Sequence, residues 1–290
     1  EADLEAVLEI DNLPPKVNLV ALPGLTKTGE LESQGTEHVG LSPIGYELTS
    51  GDPGRIDAVA RGRARVQDQG SQLVTLVLAS VPVVTQDSEE WLDLCAGPGG
   101  KAALLAALAK QQDAELVCNE LQPHRAKLVE QALRPISDDI YVRTGDGREL
   151  GADAPEAFDR VLLDAPCSGL GALRRRTESR YRKQAGDIAE LSKLQKELLE
   201  SAIDGTKSGG VIAYVTCSPH LAETNGVVDW ALAKRASEIE LLNATDAMVA
   251  INPRFRDDPK VALNPGRKTV QLWPHRHGTD AMFVALFRKL

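Results

Sequence analysis

The sequence predicts an α/β fold: a parallel sheet with helices on both faces, joined to a small α+β unit on its N-terminal side. Three observations carry this. From about residue 85, short aliphatic runs alternate with helix-like stretches, the signature of strand–helix–strand units. The runs are rich in Val, Ile and Leu with little polar alternation, as strands buried on both faces require. The chain is 42% hydrophobic and only 4% aromatic, so an aliphatic core must fill the space between sheet and helices.

In chain order, "EADLEAVLEIDN" reads as a helix already under way, and the first residue is Glu. The chain is therefore expected to be part of a longer protein. Pro14, Pro15, Pro23, Gly24, Pro43, Pro53 and Gly54 interrupt any long element in the next stretch. "KVNLVALP" and "AVARGRARVQD" are strand candidates there, giving an expected α+β subdomain over residues 1–70. Residues 71–290 are expected to form the main domain. Its strand candidates are "EWLDLC", "ELVCNE", "DIYVRT", "DRVLLDA" and "GVIAYVTC". Helix candidates lie between them: "GGKAALLAALAK", "QPHRAKLVEQAL" and "DIAELSKLQKELLESAI". The last carries Ile188, Leu191, Leu194 and Leu198 at helical spacing. Such alternation implies right-handed crossovers and a parallel sheet. "DAMFVALFRKL" has no helix after it and reads as a late strand, antiparallel to the rest.

Composition narrows the function classes. No eighteen apolar residues run together and no charged-then-apolar leader opens the chain, so a soluble, cytoplasmic protein is expected. Nothing points to an obligate dimer, and a monomer is expected. The four cysteines are Cys95, Cys118, Cys167 and Cys217, with no C-x-x-C pair. That spacing offers no zinc site, and so few thiols in so aliphatic a chain argue against a disulfide framework. No metal is expected. A free cysteine is most often a small buried hydrophobe, and Cys118, inside a strand candidate, fits that description. The net charge of −9 opposes non-specific nucleic-acid binding over the whole surface. The run "RRRTESRYRK" is the exception, with Arg174, Arg175, Arg176, Arg180, Arg182 and Lys183. It reads either as a solvated face or as a nucleic-acid contact.

Ligands of parallel sheets gather at the carboxyl ends of the strands, where Cys95, Cys167 and Cys217 fall. "LDLCAGPGGKAALL" leaves a strand and opens a helix, with Gly97, Gly99 and Ala102 at the spacing of a nucleotide-binding loop. Glycines allow close backbone approach to a ligand, and helix-terminal N–H groups face it. The loop alone does not separate a nicotinamide dinucleotide from S-adenosylmethionine. Asp93, Glu120 and Asp146 end successive strands. A carboxylate at the second position can accept both ribose hydroxyls, and one at the third can receive an adenine amino group. Singly, each acid is more often a helix cap. "DAPCSGLG" and "YVTCSPH" place Asp164, Cys167 and Cys217 at two further strand ends. Two thiols and a carboxylate suit covalent catalysis on a cytosine. A thiolate adding at carbon 6 makes carbon 5 nucleophilic, so that it can accept a methyl group. The residues leave the roles of the two cysteines exchangeable.

"DLCAGPGGKA", "DAPCSGLG" and "VTCSPHLAETN" together resemble the RsmB (Sun/Fmu) type of RNA cytosine-5 methyltransferase. "QDQGSQL" and "QLWPHRHGTDAMFVALFRK" extend the resemblance over essentially the whole chain. It implies a Rossmann-like seven-stranded methyltransferase sheet and S-adenosylmethionine as donor. It makes Cys217 the nucleophile, Cys167 the residue that assists release, and Asp164 the holder of the cytosine edge. Cys95, Ala96, Gly97, Pro98, Gly99, Gly100, Lys101, Glu120, Arg125, Asp146 and Asp164 would hold the cofactor. The basic run becomes a candidate RNA-backbone contact, and the unit over residues 1–70 would lie on the RNA side. The resemblance implies ribosomal RNA of the small subunit, with transfer RNA or a non-catalytic assembly role as alternatives. A nicotinamide oxidoreductase would leave both cysteine motifs unused. Many relatives carry a NusB-like helical N-terminal domain that this sequence lacks, and alanine where Gly97 stands here.

Overall fold

The computed structural model describes residues 2–27, 29–83, 88–182 and 184–290. After helix α1 (Ala2–Ile10), four short strands form a small antiparallel sheet: β1 (Asn18–Ala21), β2 (Thr36–Glu37), β3 (Gly45–Leu48) and β4 (Ala64–Val66), in the order β2-β3-β1-β4. "AVARGRARVQD" is strand only in its second half, because Asp57–Ala60 forms a one-turn helix (α2) that packs on Leu19 and Ile56 in a separate small core. Helix α3 (Gln69–Ser80) then enters the main body, capped by the Asp68 carboxylate on Gly70 N–H. Gln69 ties the two parts together, accepting from Leu41 and Ser42 N–H and donating to Asn18 Oδ1.

The main sheet comprises β5 (Glu90–Asp93), β6 (Glu115–Glu120), β7 (Tyr141–Thr144), β8 (Phe158–Asp164), β9 (Thr206–Thr216), β10 (Ile239–Leu241) and β12 (Phe283–Lys289). Their order is β10-β12-β9-β8-β5-β6-β7, with a two-residue strand β11 (Val270–Gln271) added alongside β12. The five strands from β9 to β7 are parallel, and β12 inserts antiparallel between β9 and β10. Successive residues point to opposite faces, and both faces are covered. Leu162, Ala213, Val215 and Val284 join the core under α3 and α4 (Gly100–Gln111). Val161, Leu163, Ile212, Tyr214 and Ala285 join the one under α6 (Gly147–Asp153), α8 (Ala185–Gly205, preceded by the one-turn α7, Ser179–Arg182) and α9 (Asn225–Lys234). Helix α5 (Pro123–Leu133) follows β6 on the first face.

The apolar stripe read along α8 is displaced in the structure. Leu198 is buried, but Ile188, Leu191 and Leu194 are half-buried, and the fully covered positions in the first half are Ser192 and Gln195. Their partners are polar loop groups, Ala222 O for Ser192 and Pro166 O for Gln195. That end of the helix therefore packs on the strand-end loops as well, with Leu194 against the core. The chain runs outward from β5 through β6 and β7, then returns to β8 on the other side of β5. The reversal opens a crevice at the carboxyl ends of β5 and β8, the place where such sheets bind ligands.

Candidate active site

The glycine loop lies in that crevice. Gly99 has φ +103, and a Cβ there would meet the Ala132 Cβ at 2.7 Å, so α5 packs too close for any side chain. No side chain caps α4, which leaves its first N–H groups and the positive end of its dipole available to an anionic group. Glu120, at the end of β6, accepts from Gly97 N–H at 3.0 Å and from Gln122 N–H at 2.9 Å. A Cβ on Gly97 would lie 2.1 Å from Glu120 Oε2, so in this chain an alanine would displace that carboxylate. Arg125 donates to Gly97 O and sits 3.7 Å from Glu120. Cys95, Ala96, Pro98 and Gly100 complete the loop between β5 and α4.

Asp93, beneath the loop, is 1% exposed, and neither of its oxygens has a hydrogen-bond partner. Burial, reinforced by the charge of Asp164, pushes its carboxyl up to about 8. An orphaned buried carboxyl beside a glycine cradle is what a ligand carrying a cationic group would complete, so these residues fit the ammonium of S-adenosylmethionine. The raised value has a sign. Between the ordinary carboxylate range and about 8, the folded state holds a proton that the unfolded state has lost. Stability is therefore expected to fall as pH rises through that window, and Asp93→Asn to flatten the fall, as thermal melts from pH 5 to 9 would show. A wild-type melting temperature that rises from pH 5 to 8 would contradict this. Asp146 caps α6 through Arg148 N–H at 2.9 Å and forms a fork with the Arg148 guanidinium, which holds its carboxyl below the usual range. The helix-cap alternative is thus realised at this acid, with its oxygens already engaged.

Four side chains converge where β5, β8 and β9 end. Lys101 Nζ, in the first turn of α4, donates to Asp164 Oδ2 at 2.8 Å. Burial alone would lower the Lys101 ammonium, but Asp164 outweighs it and holds it above its usual value. Cys167 and Cys217 face each other with their sulfurs 3.4 Å apart. Their loops are tied by Gly171 N–H to Cys217 O at 2.9 Å and by Ala281 N–H to Gly171 O at 2.8 Å. The hydrogen bond from Cys167 lowers the Cys217 thiol, with Lys101 assisting against burial and Asp164. That same hydrogen bond, with burial, pushes Cys167 well up. Cys217 is therefore the sulfur biased toward the thiolate, with Lys101 on its side, and Cys167 the one biased toward the thiol. Cys95 is driven up by burial and then by Asp93, so it stays a thiol. A cleft of about 790 Å³ opens against both loops, lined among others by Ser168, Leu170, His220, Ile188, Lys193 and Lys196.

The basic run does not form one surface. Arg174 and Asp280 have side chains only 7% and 8% exposed, 3.3 Å apart. Arg175 reaches Asp280 at 3.0 Å and Asp68 at 3.0 Å. This cluster joins the α3 cap to the segment entering β12, so the reading of Arg174 and Arg175 as backbone contacts is corrected: their charges are neutralised inside. Arg180 is exposed but donates to Asp11 O and Asn12 Oδ1, anchoring the end of α1. Arg176 and Arg182 are exposed. Lys183 lies outside the described residues. No group of three metal-ligating side chains occurs among the described residues, and no described helix is long and apolar enough to cross a membrane.

The sequence profile of the family described as 16S rRNA methyltransferase RsmB/F matches residues 81–288. The chain belongs to the RsmB/F family. A protein of Mycobacterium tuberculosis named as a methyltransferase is 50% identical over 289 residues, covering 99% of this chain and 60% of the relative. The chain thus spans about three fifths of that relative's length. A ribosomal RNA small subunit methyltransferase B of Erwinia tasmaniensis is 31% identical over 80% of this chain and 48% of its own. A human 28S rRNA cytosine-C5 methyltransferase is 35% identical over 76% of this chain and 27% of its own. Among solved structures, PH0851 superposes with a TM-score of 0.83 at 28% identity, covering 99% of this chain and 63% of that one. A methyltransferase homologue from Pyrococcus horikoshii, at 23% identity and TM-score 0.77 over 98% of this chain and 90% of its own, shares the fold. The seven-strand path with its late antiparallel strand is therefore the Rossmann-like methyltransferase sheet of this family, and the four converging side chains come from the glycine loop and the two cysteine motifs.

Proposed function

We propose that this chain is the catalytic part of an S-adenosylmethionine-dependent RNA methyltransferase. It forms 5-methylcytosine in small-subunit ribosomal RNA through a covalent cysteine–cytosine intermediate. The observation that carries the reading is the pair of sulfurs 3.4 Å apart, beside the Lys101–Asp164 pair. A nicotinamide enzyme has no use for it. The family description and the relatives' names support ribosomal RNA as the substrate class.

In this reading the loop from Cys95 to Lys101, Glu120 and Arg125 hold the cofactor, with Asp93 beneath it. Asp146 has a lesser part because its carboxylate already caps α6. S-adenosylmethionine, when bound, supplies an electrophilic methyl group. Asp164 accepts from the polar edge of a cytosine turned out of its stack. The Cys217 thiolate adds to carbon 6, which makes carbon 5 nucleophilic. Once carbon 5 is methylated it must lose its proton before the Cys217–carbon 6 bond can break. Cys167, kept protonated, is placed to donate a hydrogen bond to the departing thiolate. Residues 1–70 are assigned to the RNA side and 71–290 to the methyltransferase domain.

The test is methyl incorporation into ribosomal RNA lacking modifications, with transfer RNA in parallel and the site mapped by bisulfite sequencing. Protein that binds the cofactor but forms no 5-methylcytosine in any of these RNAs sinks the proposal. Within this reading, Arg176→Ala with Arg182→Ala is expected to weaken RNA binding and reduce its salt dependence by about two phosphate contacts, leaving the melting temperature unchanged. Arg174→Met should do the reverse. It leaves buried Asp280 without one of its partners, at a cost of roughly 3 kcal/mol in stability. Filter binding at several salt concentrations and thermal melts distinguish the two classes.

A further inference from the structure

Each of the two facing cysteines is followed by a serine, and both serines meet at one buried carboxylate. Glu223, the ninth residue of "VTCSPHLAETN", is fully buried. Its Oε2 accepts from Ser168 Oγ at 2.5 Å and from Ser218 Oγ at 2.7 Å. Its Oε1 accepts from Ser168 N–H at 2.7 Å and from Gln195 Nε2 at 3.1 Å. Gln195, also fully buried, donates in addition to Pro166 O at 2.9 Å. The residues before and after Cys167 are thus both held, and Ser218 beside Cys217 is held by the same carboxylate.

Glue alone does not call for a charge here. A buried carboxylate is costly, and a neutral amide could join one loop to another. Only an acceptor-only group with two oxygens can take a hydrogen from both serine hydroxyls and from a backbone N–H at once. We infer that Glu223 is a positioning residue of the two-cysteine site: by accepting from Ser168 and Ser218 together, its carboxylate sets the separation of Cys167 and Cys217. What that separation serves rests on the proposed function; the clamp itself does not.

The test has a readout independent of methyl transfer. In a glutathione redox buffer, oxidised glutathione takes two electrons from the Cys167 and Cys217 thiols and leaves as two reduced molecules. The two thiol protons end on the glutathione sulfurs, and a Cys167–Cys217 disulfide forms. The equilibrium gives the effective concentration of one sulfur at the other, read by peptide mass spectrometry. Glu223→Gln, and separately Ser168→Ala with Ser218→Ala, are expected to lower it by about tenfold or more. Ser218→Thr, which keeps the hydroxyl, should restore it. In methyl-transfer assays the same variants should lose kcat while cofactor affinity stays at the wild-type value. If Glu223→Gln does not fold, the serine variants, which retain the carboxylate, decide the matter. An unchanged effective concentration in the serine double variant overturns the clamp. A lowered one with unchanged kcat overturns its positioning role. Wild-type protein that forms the disulfide with high effective concentration, loses it in the variants, and never transfers a methyl group would uphold the clamp and overturn the proposed function instead.

Discussion

Cys217→Ala is expected to reduce methyl transfer by roughly 10⁴-fold or more, the scale seen when a covalent nucleophile is removed, while Cys167→Ala accumulates a protein–RNA adduct. The two outcomes follow from the contact between the two sulfurs. Cys217 is the more acidic, with Lys101 favouring its thiolate, and Cys167 is held as a thiol. Removing Cys167 leaves the attacking sulfur in place but takes away the donor beside it when it must leave carbon 6. The adduct should appear as a slow band on a denaturing gel with ribosomal RNA and S-adenosylmethionine, and vanish in the double variant. A band that forms with Cys217→Ala and needs Cys167 would exchange the roles.

Lys101→Met carries the second large effect, and on two readouts. It leaves Asp164 without its partner at 2.8 Å, close to the buried Asp93 whose charge Asp164 already opposes. The lysine side chain is 12% exposed and the aspartate 29%, so the lower end of the range for a broken buried pair applies, roughly 3 kcal/mol. That should lower the melting temperature by several degrees. The activity should fall by about 10²-fold or more, as when a preorganised charge is removed from a site. Because the Cys217 thiolate also loses its nearby cation, the remaining activity should shift its pH optimum upward. A rate profile against pH that drops without moving would assign Lys101 to cofactor or fold alone. Restoration of the profile by Lys101→Arg would support a purely electrostatic part.

The elements that position the site were legible because each is encoded within a few residues. The alternation of "DRVLLDA" and "GVIAYVTC" with helical stretches predicted parallel strands, and β8 and β9 are parallel neighbours. The turn chemistry of "CAGPGGK" marked the loop because a backbone at φ +103, which favours glycine, is a local requirement. The helical spacing of Ile188, Leu191, Leu194 and Leu198 marked α8, but periodicity reports apolar residues and gave no sign that Ser192 and Gln195 are buried against loops. The basic run misled for a related reason. Six positive charges in ten residues look alike in a string, and partner choice depends on chain segments more than a hundred residues away: Arg175 meets an aspartate 105 positions later. Glu223 left one trace, the repeated Cys-Ser pair, whose meaning needs both loops in view.

The sequence by itself determined the five parallel strands and the late antiparallel one, helices α4, α5 and α8, the glycine loop and the strand ends at which the cysteines emerge. Those follow from periodicity and turn stereochemistry, which act over neighbouring residues. Only the tertiary structure decided which sulfur is biased toward the thiolate, which arginines reach solvent, and that one carboxylate grips both cysteine loops. Each depends on a distance of a few ångströms between segments far apart in the chain. Electrostatic and hydrogen-bond energies change steeply over such distances, and no local pattern encodes them.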